Sequence, residues 1–245
     1  MVQHQSSKEW SKDQVARYGV VVVWFLIVGI GLSGVVAPLV FPKQIYADSM
    51  RLFSDAYYQQ ELNLATSPIA NASHRLFGLV FFVIGMAQFN CRLRAKNPAL
   101  HRWCGRLYIA LAALVVVTAT ILSFRHAFAG QIEQISIPLM NALFCMFVIA
   151  GLVHARRRNF VAHREYMIRG FAVALVVAVQ RPYFLGGLLL LDLPHQELFV
   201  LSGAVAFSVC IISAEIWIKL SRRASYARIA SFYEGNFVKS SGKRQ

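Results

Sequence analysis

The sequence predicts an all-α fold: an integral membrane bundle of six transmembrane helices with both termini in the cytoplasm. Three observations carry this expectation. Of the 245 residues, 57% are hydrophobic and only 15% charged, against roughly 25% charged in a soluble domain. The charge is missing from long blocks, six of which approach the ~20 apolar residues that span a bilayer. Twenty of the 25 Lys and Arg lie in segments that these blocks place on a single side.

The apolar runs predict spans near 18–41, 74–91, 105–126, 136–155, 168–190 and 198–219. The first follows Lys8, Lys12 and Arg17, as a signal peptide would. It is longer than the roughly 7–15 residues of a signal core, and "GVVAPLVFPK" offers no small-x-small cleavage site, so it reads as an uncleaved anchor. A polar cytoplasmic arm, 1–17, precedes it. The outer loop 42–73 follows, in which Tyr46, Met50, Phe53 and Tyr57 recur at helical steps. That pattern predicts an amphipathic helix lying on the outer leaflet. The remaining connections are short, which makes successive helices antiparallel neighbours. The reading is one transmembrane domain, 18–220, followed by a basic cytoplasmic tail, 221–245.

A net charge of +14 would suggest nucleic acid in a soluble protein. Here five basic residues fall in 92–106, five in 156–169 and seven in 219–244, alongside Lys8, Lys12 and Arg17. All lie on the side that the positive-inside rule assigns to the cytoplasm. The charge therefore points to the lipid bilayer as partner and away from nucleic acid. Cys91, Cys104, Cys145 and Cys210 fall in spans or at the inner face, where packing is expected and disulfides are not. The sequence has no G-x-x-x-x-G-K-[ST] and no H-E-x-x-H. It also lacks G-x-S-x-G, so these enzyme motifs give no catalytic residue.

Helices are forced in lipid, so function must be sought in costly side chains. His74 opens the second span and His126 closes the third at the outer face; His101, His154 and His163 flank the inner ends. Transmembrane b-type cytochromes hold haem between such histidines, with arginines on the propionates. His74 with His126, and His101 with His163 or His154, would be the pairs. However, His101 and His126 are 25 residues apart, roughly 37 Å along a helix, which exceeds the ~30 Å hydrocarbon core. That disfavours a two-haem wire and leaves one haem b at one face. A second reading places zinc at the inner face: His101 and Cys104 share a helix face, and His163, His154 or Glu165 would complete a tetrahedral set. A third has the His-Arg pairs contact phospholipid phosphates.

Arg181 stands apart. It lies 12 residues after Arg169, about 18 Å into the fifth span, where a charge costs ~2.5–3.5 kcal/mol. Pro182 deprives the Ala178 carbonyl of its helical donor, and Gln180 precedes it. No carboxylate in a span is placed to neutralise Arg181: Glu215 is expected to pair with Lys219, and Asn141 is neutral. A bound anion or a polarised quinone oxygen fits. The alternative has Arg181 cap loop carbonyls or snorkel outward. Asn71-Ala72-Ser73 is expected to start the second span.

Several pieces recur together over roughly residues 75–185: His74 opening a span, His101-Arg102 with Gly105-Arg106-x-Tyr108, His163-Arg164 with Met167-Ile168-Arg169, and Arg181. On these the chain resembles the bacterial multi-pass membrane family defined only as domain of unknown function 2306. The resemblance implies a polytopic protein of the bacterial inner membrane, and brings no activity, substrate or cofactor with it. His126 and His154 stand outside the pattern.

The leading expectation is a membrane protein that binds a cofactor or small ligand at a site lined by His74, His101, Arg102, Arg106, His163, Arg164, Arg169 and Arg181. Haem b, quinone or a small anionic ligand would occupy it, with zinc on His101, Cys104 and His163 the lesser alternative. A transporter or channel for a small anionic solute would need a polar path past Gln88, Asn141, Arg181 and Glu215. A structural or assembly protein would need no ligand.

Overall fold

The computed structural model describes residues 28–241 apart from 30, 35, 42 and 53. The expected arm 1–17 and most of the first expected span, 18–41, lie outside the described residues. What is described is helical: α1 (Gly31–Val40), α2 (Lys43–Arg51), α3 (Asp55–Ala65), α4 (Pro68–Gln88), α5 (Cys91–Lys96), α6 (Pro98–Arg125), α7 (Gln131–Arg156), α8 (Phe160–Leu190) and α9 (His195–Ser241). Five of these, α4 and α6 to α9, are long and apolar enough to cross a membrane. The chain is thus a helical membrane protein with five such helices among the described residues, where six had been expected.

Asparagine and proline set the helix starts. Asn97 Oδ1 accepts from Leu100 N at 3.0 Å and Asn159 Oδ1 from Ala162 N at 3.1 Å, each satisfying a donor that a helix start leaves orphaned. Pro68 and Pro98 occupy first-turn positions, where the missing N–H costs nothing. Pro68 moves the start of α4 upstream of the expected His74. Asn71 therefore lies inside α4 and does not begin it. Gly130, at φ +65°, makes the turn into α7, a conformation that disfavours any side chain.

The long helices pack in chain order, α6 on α7, α7 on α8 and α8 on α9, while α4 lies against α6. Phe81, Tyr108, Phe144 and Phe171 tie four helices into one core. The Phe81 and Tyr108 rings stack at 4.4 Å, and Phe81 meets Phe144 edge-on at 5.9 Å, geometries that suit the ring quadrupoles. Between α8 and α9 the residues are smaller, with Ala172 facing a side that includes Ala206, Cys210 and Ala214. Small residues let helix backbones approach where lipid supplies no hydrophobic drive. Leu139, Ile149, Ile212 and Trp217 point outward, as lipid-facing side chains should.

The 42–73 segment departs from the expected single surface helix. It forms two helices, broken between Arg51 and Asp55, and it buries Tyr46, Ala47 and Glu61. Phe53, part of the expected stripe, lies outside the described residues. Specific polar bonds dock α3 and the turn after it onto the bundle, which the amphipathic pattern could not reveal. Gln60 Nε2 donates to the His126 carbonyl at 2.6 Å, and the His126 ring spans Asn63 Oδ1 at 3.1 Å and Ser67 Oγ at 2.7 Å.

Candidate functional site

A buried arginine, Arg75, and a half-buried one, Arg181, converge where α2 and α3 fold against α4 and α8. Arg75, on α4, is 6% exposed and donates from Nη2 to Glu61 Oε2 at 2.8 Å. Its Nε donates to Asn71 Oδ1, one turn earlier, at 2.8 Å. Its Nη1 reaches the Gly34 carbonyl at 3.5 Å. Glu61 is 7% exposed, so this pair is desolvated on both sides. The Tyr46 ring lies 5.8 Å from the Arg75 guanidinium carbon.

Arg181, on α8, approaches the same glycine from the other side. A Cβ at Gly34 would crowd Arg181 Nη1 and make the guanidinium shift from its present place. The Nε and Nη1 of Arg181 are covered and make no hydrogen bond among the described residues. Tyr46, Tyr57 and Glu61 are its electrostatic neighbours, and His74 lies within the field of both arginines. One turn before Arg181, the Ala178 carbonyl that Pro182 deprives of a donor is met by Gly31. A Cβ there would stand 1.9 Å from the oxygen.

Two recesses flank this cluster, with Tyr46 lining both. One, of about 380 Å³, is bounded by Glu61, Asn71 and Arg75. The other, of about 350 Å³, is bounded by Tyr46, Tyr57 and Arg181 on one side and Phe41, Ile45 and Leu185 on the other. Both fall in the range of small-molecule sites, ~300–1,000 Å³. Burial, with the charge of Glu61 and the proximity of Tyr57, raises the Tyr46 phenol to about 12, against the opposing pull of Arg181 and Arg75. Tyr46 is therefore a neutral donor. Tyr57 meets Phe184 of α8 edge-on at 5.6 Å, which holds α3 over the recess.

The eight expected ligand residues do not form one site. His74 Nδ1 lies 3.1 Å from Thr118 Oγ1, and Thr118 is 17 residues from His101 on α6, roughly 25 Å along the helix. His74 and Arg181 therefore occupy one end, and the other six the opposite end. There Arg169 makes a bidentate pair with Glu215, at 2.6 and 3.1 Å. This replaces the expected Glu215–Lys219 pair, because α8 and α9 lie side by side. Arg164 donates to Ser221 Oγ at 2.9 Å, and Glu165 binds Arg222. Arg102 and Arg106 are exposed, the latter over Trp103 at 4.9 Å.

Three of the histidines hold other partners, His74, His126 and His163. His163 Nδ1 donates to the Gly151 carbonyl at 2.8 Å. His101 lies within electrostatic reach of His163 and Arg94. Among the described residues no three His, Cys, Asp or Glu gather so as to hold a metal ion. The zinc set of His101, Cys104 and His163 is not assembled, and Cys104 is a free, half-buried thiol. His126, the proposed haem partner of His74, has both ring nitrogens committed to Asn63 and Ser67. On the polar path expected of a carrier, Asn141 is held by Thr120 at 2.9 Å, as Glu215 is by Arg169. Sequence reasoning missed Glu61, although it is the next helical step after Tyr57 in the stripe.

These features define a multi-pass helical membrane protein with a guanidinium-lined recess at one end of the bundle. Residues 71–218 match the model of the family described as "Predicted membrane protein (DUF2306)", and the chain belongs to that family. The match includes Arg75 and Arg181, whereas Tyr46, Tyr57 and Glu61 precede it. No curated protein and no solved structure matches the chain.

Proposed function

We propose that this protein binds a small anionic ligand in the recess lined by Arg181, Tyr46 and Tyr57, and that it acts as a ligand-binding membrane protein of the bacterial inner membrane and not as an enzyme. The observation that carries the reading is the charge count of the cluster. Among the described residues two guanidiniums face one carboxylate, Glu61 is bonded directly to Arg75, and two nitrogens of Arg181 have no hydrogen-bond partner. A buried charge without compensation costs several kcal/mol, and an anion supplied from outside would remove that cost. The two phenols would add neutral donors. At the opposite end Arg164 and Arg169 would hold α8 to α9, while the exposed Arg102 and Arg106 would contact lipid phosphates.

Native mass spectrometry of gently purified protein tests this. The wild type should carry a bound species that Arg181→Leu loses while remaining folded. Identical spectra for the two proteins, with nothing bound to either, would reject the reading.

A further inference from the structure

The Arg181 recess is built for more than an anion. Its inner wall is polar, with a guanidinium that has two covered nitrogens unbonded among the described residues, beside two phenols, but its rim is apolar. Phe41 is 55% and Ile45 60% exposed, and Leu185, one turn beyond Arg181 on α8, continues the same wall. An inorganic ion would satisfy Arg181 and leave this rim without a purpose. A ligand with an apolar chain would use both.

Taking the Arg181 site as the binding site just described, we propose that its ligand is a single-chain amphiphile with an acidic head, which enters sideways from the bilayer. The carboxylate sits on Arg181, with Tyr46 and Tyr57 beside it. The chain leaves between Phe41, Ile45 and Leu185 into the lipid. Partition of the chain into the bilayer concentrates the ligand beside the rim, so the chain raises occupancy over that of a short acid, and the head on Arg181 selects the charged amphiphile from the neutral one. Gly34 favours this arrangement, since a side chain there would make the Arg181 guanidinium shift.

The test uses full-length protein in phosphatidylcholine nanodiscs and a palmitate analogue carrying a diazirine near its methyl end. Photolabelling followed by peptide mapping should place the label on residues 36–50 and 182–190. Unlabelled palmitate should compete, and acetate should not. Arg181→Gln should lower labelling by more than about tenfold, while Arg181→Lys, which keeps the charge, should lower it less. The matching alcohol, with no charge, should label weakly. Label spread evenly over the lipid-facing sides of α6 and α7, or unaffected by Arg181→Gln, would overturn the proposal. Acetate competing as well as palmitate would also overturn it, yet would leave an anion site at Arg181 standing. If neither competes and native spectra show nothing bound, the underlying site fails as well.

Discussion

Glu61 and Arg75 form an ion pair from which solvent is excluded at both ends, Oε2 to Nη2 at 2.8 Å, and it joins the short α3 to the long α4. Glu61→Gln removes the negative partner and leaves a cation that Asn71 alone cannot compensate. Breaking such a pair costs about 3–5 kcal/mol. The double substitution Glu61→Gln with Arg75→Gln should cost less than the sum of the singles, because the stranded charge is gone. Unfolding titrations in sodium dodecyl sulfate measure both.

The two ion pairs between α8 and α9 should respond differently. Glu165 is 8% exposed and Arg222 52%, whereas Arg169 and Glu215 are 23% and 38% exposed. Removing Arg222 strands a buried carboxylate, so Arg222→Ala should cost several kcal/mol even after solvent screening of the arginine. Glu215→Ala removes the more open pair and should cost about 1 kcal/mol or less. High salt should narrow the effect of Glu215→Ala and leave that of Arg222→Ala nearly intact.

Close approach of α1 to α8 rests on Gly31. The obstacle to a larger residue is the Ala178 carbonyl, which is backbone and cannot rotate away. Gly31→Ala should therefore push α1 outward at a cost of roughly 1–3 kcal/mol. Cysteine cross-linking between α1 and α8 would report the displacement as a lower yield.

Tyr46 gives a pH signature. Its phenol is raised from 10.0 to about 12, chiefly by burial. As pH climbs, the unfolded phenol ionises first, so the stability this group contributes is intact below 10 and is lost between 10 and about 12. Two units correspond to roughly 3 kcal/mol. Tyr46→Phe should remove that part of the alkaline loss, and the difference between the two pH–stability curves isolates it from the other tyrosines and lysines.

Much of this architecture was legible in the sequence, because lipid leaves a chain few choices. Apolar runs located α4 and α6 to α9, and the depth of Arg181 announced a charge in need of a partner. The surroundings of that charge were not legible. Glu61 looks like one more polar residue of a surface loop until α2 and α3 fold inward, and no local pattern records that they do. The same holds at the other end. The His-Arg motifs mark the ends of α6 and α8, but which carboxylate Arg169 takes depends on the register of α9 against α8. Glu215 lies 46 residues away from it.

Arg181 offers the sharpest reversal of sign. Without an anion its guanidinium is a cost, since two nitrogens are covered and unbonded among the described residues. Replacing it by methionine, of similar length and no charge, should stabilise the ligand-free protein by about 1–4 kcal/mol, as replacing buried ionic groups by packed apolar ones does elsewhere. Glu61 keeps Arg75, so the substitution strands no carboxylate. Added palmitate should then stabilise the wild type and leave Arg181→Met unchanged, because mass action rewards only the protein that binds. Thermal unfolding of both proteins, with and without palmitate, gives the four values needed. A destabilised Arg181→Met with no response to palmitate in either protein would make Arg181 a structural residue, and its phenol neighbours Tyr46 and Tyr57 its intended partners.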